Sequence, residues 1–255
     1  MVWAAAIVIA VVLTAAIPWL TQPEAVKPAA APAVPVRAAG PPRRALEPRR
    51  SLPDPAAAYA LPDKAGNVAY DNGDLPAAIE RYREAVRRNP NDAESLSNLG
   101  QVLVRLGRPA EAVPLFERAI RIIPQRWAYH FNLGRALGKL DEWERSVAEY
   151  RVAQDLFPDD YVTAFNLGIA LHKSGDENGA VESFKKAIAG NPTDASFYLS
   201  LGISYERLQR AAPAAAAYTK YVELAPDAPD AAQVKARIAQ LTAAGTAGDP
   251  SASGR

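Results

Sequence analysis

No cysteine occurs anywhere in the 255-residue chain, which excludes disulfides, thiolate nucleophiles, Cys-ligated zinc and iron–sulfur clusters. Histidine is almost as scarce. His130 and His172 stand far apart in sequence, so imidazole-based metal and acid–base chemistry has little material to work with. Net charge is missing too: 29 basic against 28 acidic side chains leave a formal +1, without the basic face that nucleic acid requires. Catalytic signatures are also lacking. Gly134-Arg135-Ala136-Leu137-Gly138-Lys139 resembles a phosphate-cradling loop only superficially, because its spacing is short and Leu140 follows the lysine where a hydroxyl is needed. Neither a G-x-S-x-G elbow nor an H-E-x-x-H pair is present. The chain reads as a non-enzyme that calls for no cofactor and no metal.

Charge is absent altogether from residues 1–20, MVWAAAIVIAVVLTAAIPWL. An apolar run of that length can cross a hydrocarbon core of roughly 30 Å, with Trp3 and Trp19 placed for the two interfaces. Residues 1–20 therefore read as a transmembrane anchor or an uncleaved signal; the basic n-region of a cleaved signal peptide is missing, although Thr14-Ala15-Ala16 supplies small residues. Residues 21–58 are dense in proline and alanine, with Arg43-Arg44 and Arg49-Arg50 as basic pairs. Proline at that density disfavours helix and sheet and favours a semi-rigid polyproline spacer. Lys27 and Arg37 follow the span and by charge alone favour a cytoplasmic body. An anchor, a Pro/Ala spacer and a repeat domain together resemble bacterial envelope proteins, which favours the extracytoplasmic, periplasmic side and leaves the cytoplasmic side open. Residues 244–255 are small and polar, a tail expected to be disordered.

Self-similarity organises what lies between. Pro90, Pro124, Pro158, Pro192 and Pro226 recur every 34 residues. So do Gly66, Gly100, Gly134, Gly168 and Gly202, and the aromatics Tyr82, Phe116, Tyr150, Phe184 and Tyr218. Each unit reads as a helical hairpin. In the third, Trp127 to Lys139 carries Phe131, Leu133 and Leu137 inward, Leu140-Asp141-Glu142 turns the chain, and Trp143 to Phe157 returns it. The glycine of each first helix should face a small residue of the second, Gly134 facing Ser146 and the others Ala78, Ala112, Ala180 and Ala214, so that the two helices approach closely. The aromatic one turn later is expected to fill the space between neighbouring hairpins. Asn72-Gly73-Asp74 and Ser174-Gly175-Asp176 predict left-handed turns.

This pattern resembles the tetratricopeptide repeat (TPR) family. The resemblance covers residues 59–226 as five repeats, approximately 59–92, 93–126, 127–160, 161–194 and 195–228. It departs from the pattern at Ala69, where later repeats have Leu103, Leu137, Leu171 and Tyr205, and at Tyr221, which replaces the alanine of Ala85, Ala119, Ala153 and Ala187. Residues 229–243 read as a capping helix with Val234, Ile238 and Leu241 on one face. The fold class expected is all-α: a right-handed superhelical solenoid of five hairpins with a C-terminal cap, preceded by the transmembrane helix.

The resemblance also implies a concave groove, lined by the first helices, that binds a peptide or protein partner. By analogy Asn98, Asn132 and Asn166 face it, with Phe131, Phe165, Leu199, Ile169 and Ile203, and the basic series Arg105, Lys139, Lys173 and Arg207; Arg135 and His172 complete the lining. The three asparagines are similar to the asparagine ladder of the transferase that attaches N-acetylglucosamine to Ser and Thr, where amides grip substrate backbone; here the ladder stops at Ser200. The two-carboxylate clamp for chaperone tails is matched only by Asn67 and Asn98, with Asp63, Ala128 and Asn132 where it needs basic residues. A membrane-tethered adaptor is thus the leading expectation. An assembly scaffold using convex or terminal surfaces, and a regulatory arm of an envelope enzyme complex, are the alternatives. Self-association is compatible with either.

Overall fold

The computed structural model of the chain describes residues 64–247. Eleven α-helices cover them: α1 (Lys64–Asp71), α2 (Leu75–Arg88), α3 (Ala93–Arg105), α4 (Pro109–Ile122), α5 (Trp127–Gly138), α6 (Trp143–Leu156), α7 (Tyr161–Ser174), α8 (Glu177–Gly190), α9 (Ala195–Arg207), α10 (Ala211–Leu224) and α11 (Ala231–Ala247). They form five antiparallel hairpins, α1–α2 to α9–α10, followed by the single helix α11. Among the described residues no helix is long and apolar enough to cross a membrane. The anchor expected at residues 1–20, the spacer at 21–58, the start of the first repeat at 59–63 and the tail from 248 lie outside the described residues.

Each boundary has a local cause. Second helices end two residues before each repeated proline, and the residue between is extended, as at Asn89 (φ −130°, ψ 94°) and Phe157 (φ −141°, ψ 81°), because a following proline ring excludes the helical conformation. The carboxylates of Asp92, Asp160 and Asp194 then accept backbone N–H bonds from the next first helix, caps that contribute about 1 kcal/mol each. The third repeat has Arg126 at that place and no side-chain cap. Between the helices of a hairpin, one residue is always left-handed: Gly73, Gly107, Asp141, Gly175 and Gln209, with φ from 57° to 91°. Two of those turns were legible as glycine triplets; Asp141 and Gln209 adopt the same conformation without glycine because the hairpin on either side holds it.

The packing inside a hairpin differs from the expectation in one respect. Gly134 does meet Ser146, whose hydroxyl donates to the Gly134 carbonyl at 2.8 Å. The repeated aromatic, however, does not stand between hairpins; it lies against the glycine of its own hairpin. A Cβ placed on Gly168 would sit 2.6 Å from the Phe184 ring, and one on Gly202 would sit 2.5 Å from Tyr218. Gly66 with Tyr82, Gly100 with Phe116 and Gly134 with Tyr150 repeat the contact. Glycine is therefore required by ring thickness as much as by helix approach. Tyr82, Phe116, Phe184 and Tyr218 are all buried at 2% exposure or less.

At the C-terminal end, Val234 and Leu241 of α11 pack onto Leu199, Tyr218 and Tyr221. Tyr221 replaces the repeat alanine because its neighbour is a lone helix, which leaves room for a ring; its hydroxyl donates to Asp230 ahead of α11. Arg237 of α11 donates through Nε to Glu206 at 2.8 Å, and Tyr218 donates to the same carboxylate at 2.9 Å. Helix α11 begins at Ala231 and continues to Ala247, past the expected end at residue 243 and into the stretch expected to be disordered; Ala244 and Ala247, strong helix formers, offset Gly245 there.

Gly168→Ala should destabilise the protein by about 1–3 kcal/mol through overpacking, read as a lower urea midpoint by far-UV circular dichroism. Trimming the opposing ring in the same chain, Phe184→Leu, should recover part of that loss, so the two changes will be non-additive.

Candidate functional site: the first-helix layer

Successive first helices touch one another directly, α3 with α5, α5 with α7 and α7 with α9, whereas no pair of second helices makes comparable contact. The stack therefore curves toward the first helices, which line its inner side. All fourteen groove candidates stand on α3, α5, α7 and α9 or, for Lys139, on the residue capping α5.

Within that layer the asparagines are already engaged. Asn98 is buried and its amide donates to Asn67 Oδ1 on α1 at 3.3 Å, while Gln101 donates to Asn98 Oδ1 at 3.3 Å. Asn132 is buried and donates to Ser97 Oγ on α3 at 3.4 Å. These bonds join neighbouring first helices, but they are long for hydrogen bonds, so they hold the amides without saturating them. Asn166 differs: it is half-buried and donates to Val162 O one turn back at 2.8 Å. The partners Ser97 and Gln101 escaped the sequence reading, in which Asn67 stood only as a match to the two-carboxylate clamp. The signal for Ser97 is the helix offset, since it lies 35 residues before Asn132, one more than a repeat.

Phe131 and Phe165 are chiefly core. Phe131 packs on Tyr150 with ring centroids 5.6 Å apart, and Phe165 on Phe184 at 5.7 Å and on Phe197 of the next hairpin at 4.5 Å. They stiffen the floor of the layer and present little surface above it, as does the buried Leu199. Ile169 and Ile203 are half-buried at the layer's surface.

The cations project furthest. Arg105, Lys139, Lys173 and Arg207 are all exposed. Arg105 lies over the Tyr70 ring of α1, its guanidinium carbon 5.1 Å from the centroid, a stacking that leaves its charge available. Arg135 is half-buried, and its Nε is screened from solvent with no hydrogen-bond partner. Arg207 approaches Glu177 at 3.5 Å, and His172 Nδ1 lies 2.9 Å from the other oxygen of the same carboxylate. Glu177, buried at the start of α8, is thus shared by α7 and α9; the 34-residue pattern gave no hint of it, because no other repeat has glutamate there.

His130 is structural. Its Nδ1 lies 2.7 Å from Glu149 Oε2 and its Nε2 3.0 Å from the Pro124 carbonyl. Both neighbours are acceptors, so both ring nitrogens donate and the ring is an imidazolium. Burial opposes that charge most strongly, yet the bonds to Glu149 and Pro124 and the attraction of Glu149 outweigh it and raise the pKa above the ordinary 6.5. A raised folded value contributes stability that is complete below the ordinary imidazole value and lost as the pH climbs through the raised one. The urea midpoint should therefore fall as the pH rises above the ordinary imidazole value and through the raised one, and Glu149→Gln should remove that part of the slope; an identical slope in the variant would show that His130 is neutral.

Three segments match models of the tetratricopeptide repeat: residues 64–126, 168–209 and 195–228. The same fold appears in a crystal structure of MamA, at 24% identity over 62% of this chain and 93% of that one, with a TM-score of 0.60. A MamA fragment, 41-end, from Desulfovibrio magneticus RS-1 shares 22% identity over 70% of this chain and 99% of its own, with a TM-score of 0.62. YrrB, described as a TPR protein with an unusual peptide-binding site, shares 22% over 68% of this chain and 92% of its own, with a TM-score of 0.61. With the glycine–aromatic hairpins and the matched segments together, the chain carries tetratricopeptide repeats in a solenoid-like all-helical stack.

Proposed function

We propose that the first-helix layer is a docking groove for an extended segment of a protein partner, that the chain acts by this contact and by no reaction of its own, and that residues 1–20 hold it at a membrane. The observation that carries the reading is a set of three positions repeated on adjacent helices: Asn98, Gln101 and Arg105 on α3, Asn132, Arg135 and Lys139 on and just after α5, and Asn166, Ile169 and Lys173 on α7. Spacings of three and four residues put each set on one helix face. In each set the cation is the most exposed member, while the amide is buried in the first two and half-buried in the third. An amide offers a donor and an acceptor to a peptide unit whatever its side chain, and three such amides on contacting helices form a ladder along one strand. YrrB, which has this fold and a peptide-binding site, accords with such use.

The uncharged run at residues 1–20 supports tethering, which confines groove and partner to one surface and raises effective concentration, so a weak groove suffices. The extracytoplasmic side is the address that this arrangement of anchor, spacer and repeats favours.

A photo-crosslinking residue replacing Arg135 should trap a defined partner in cells, while the same residue replacing Glu182, exposed on α8, should not; the compartment of the trapped protein reads the topology. Adducts from Glu182 alone, or self-adducts from both, would instead favour an assembly scaffold. Against the trapped partner, Asn132→Ala with Asn166→Ala should weaken binding about tenfold or more, two lost hydrogen bonds at about 1 kcal/mol each, with unchanged helicity by circular dichroism. Unchanged affinity would remove the ladder.

A further inference from the structure

The two layers of the stack treat charge differently. Every second helix has a local ion pair in its body or at its N-cap, Arg87–Glu84, Arg108–Glu111, Arg145–Glu142, Lys185–Glu182 and Lys220–Glu223, each three residues apart, beside exposed cations such as Arg151 and Lys186 that stand outside these pairs. Among the described residues no first helix has such a pair. Arg105, Arg135, Lys139 and Lys173 reach no carboxylate within ion-pair distance there, although the chain as a whole is nearly neutral. Acidic groups on α3 to α9 do little to compensate: Glu206 is held by Arg237 and Tyr218, and Glu94 is half-buried, its carboxyl pushed up by that burial above all; Asp71, exposed on α1 one repeat before Arg105, makes the cation row begin at α3.

We infer that the groove selects an acidic extended segment, with carboxylates spaced to meet Arg105, Lys139 and Lys173 in turn. This rests on the groove reading above and names the class of partner. Packed helix axes lie about 8–10 Å apart, and an extended chain advances about 3.3 Å per residue. One acidic residue in every three therefore meets one cation on each of α3, α5 and α7. Arg135, between Asn132 and Lys139, has an Nε without an acceptor; a carboxylate arriving beside it supplies one as the guanidinium turns. Opposite charge across such a surface speeds encounter and rejects basic competitors. Cations in a last helical turn also offset the helix dipole, a role that needs no partner and that the test must separate.

The probes are two fluorescent peptides, a repeated Glu-Ser-Gly and its Gln-Ser-Gly counterpart, titrated by anisotropy against the purified full chain. The acidic peptide should bind at least about tenfold more tightly than the neutral one, and lose that advantage when salt shortens the Debye length from about 10 Å to about 3 Å. Lys139→Glu with Lys173→Glu should abolish the preference. Arg151→Glu with Lys186→Glu, the same charge change at exposed positions of second helices, should keep it. Equal binding of both peptides overturns the acidic selection, as does equal loss in the outer-layer variant, which would mark net charge alone. A fall in melting temperature without any change in peptide preference assigns the row to the helix dipole and overturns it too. If neither peptide binds while a crosslinker at Arg135 still traps a partner in cells, the groove reading stands and the acidic selection fails; if no partner is trapped while the acidic peptide binds, the groove reading is the one that falls.

Discussion

Each hairpin depends on an aromatic ring seated against a glycine. The ring brings a large apolar surface to the one place where two helices cross, and only a residue without a side chain leaves room for it: a Cβ at these glycines would fall 2.5 to 3.0 Å from ring atoms. The contact fixes how far apart the helices of a hairpin stand and how they are rotated about their axes. It therefore decides which face of each first helix turns toward the next repeat and which turns away. The regularity of the groove is inherited from this steric match, repeated five times.

That dependence explains what could be read from the sequence. Glycine, aromatic and proline recur together because each answers a backbone or packing requirement that tolerates few alternatives, so period and hairpin were both visible. The place of the ring was not. A periodic aromatic one turn after a small residue suits a slot between hairpins as well as a seat within one, and only the geometry of the crossing separates the two. Left-handed turns divide in the same way. Gly73 and Gly175 are legible because glycine favours positive φ; Asp141 and Gln209 take φ of 59° and 57° under the constraint of helices on both sides, which composition does not record.

The period put the candidate groove residues on the first helices, yet their engagement was not legible. Asn98 and Asn132 recur like ligand-reading amides, and they also tie α3 to α1 and α5 to α3. These roles are not exclusive. Bonds of 3.3 to 3.4 Å are weak enough to be exchanged for a peptide group, and until then they keep the amides in position and hydrated poorly enough to favour that exchange. Asn166, bonded only within its own helix, is the amide with the least to give up.

The charge pattern follows from the curvature. On the outer layer each helix has a lysine or arginine three residues from a glutamate, a pair that cancels locally. On the inner layer, first helices press against each other, so a carboxylate near each cation would compete for the same narrow space as the asparagines and the packed rings. Cations on long flexible stems at the C-terminal ends of these helices escape the crowding, favour the local dipole, and reach above the floor formed by Phe131 and Phe165. Leaving them without carboxylates concentrates positive potential along one side of a nearly neutral molecule. Second helices also carry exposed cations outside the local ion pairs, such as Arg151 and Lys186, but those helices lack comparable contact with one another; on the first helices the cations fall on adjacent, contacting helices, where an extended segment of opposite charge can meet them in turn.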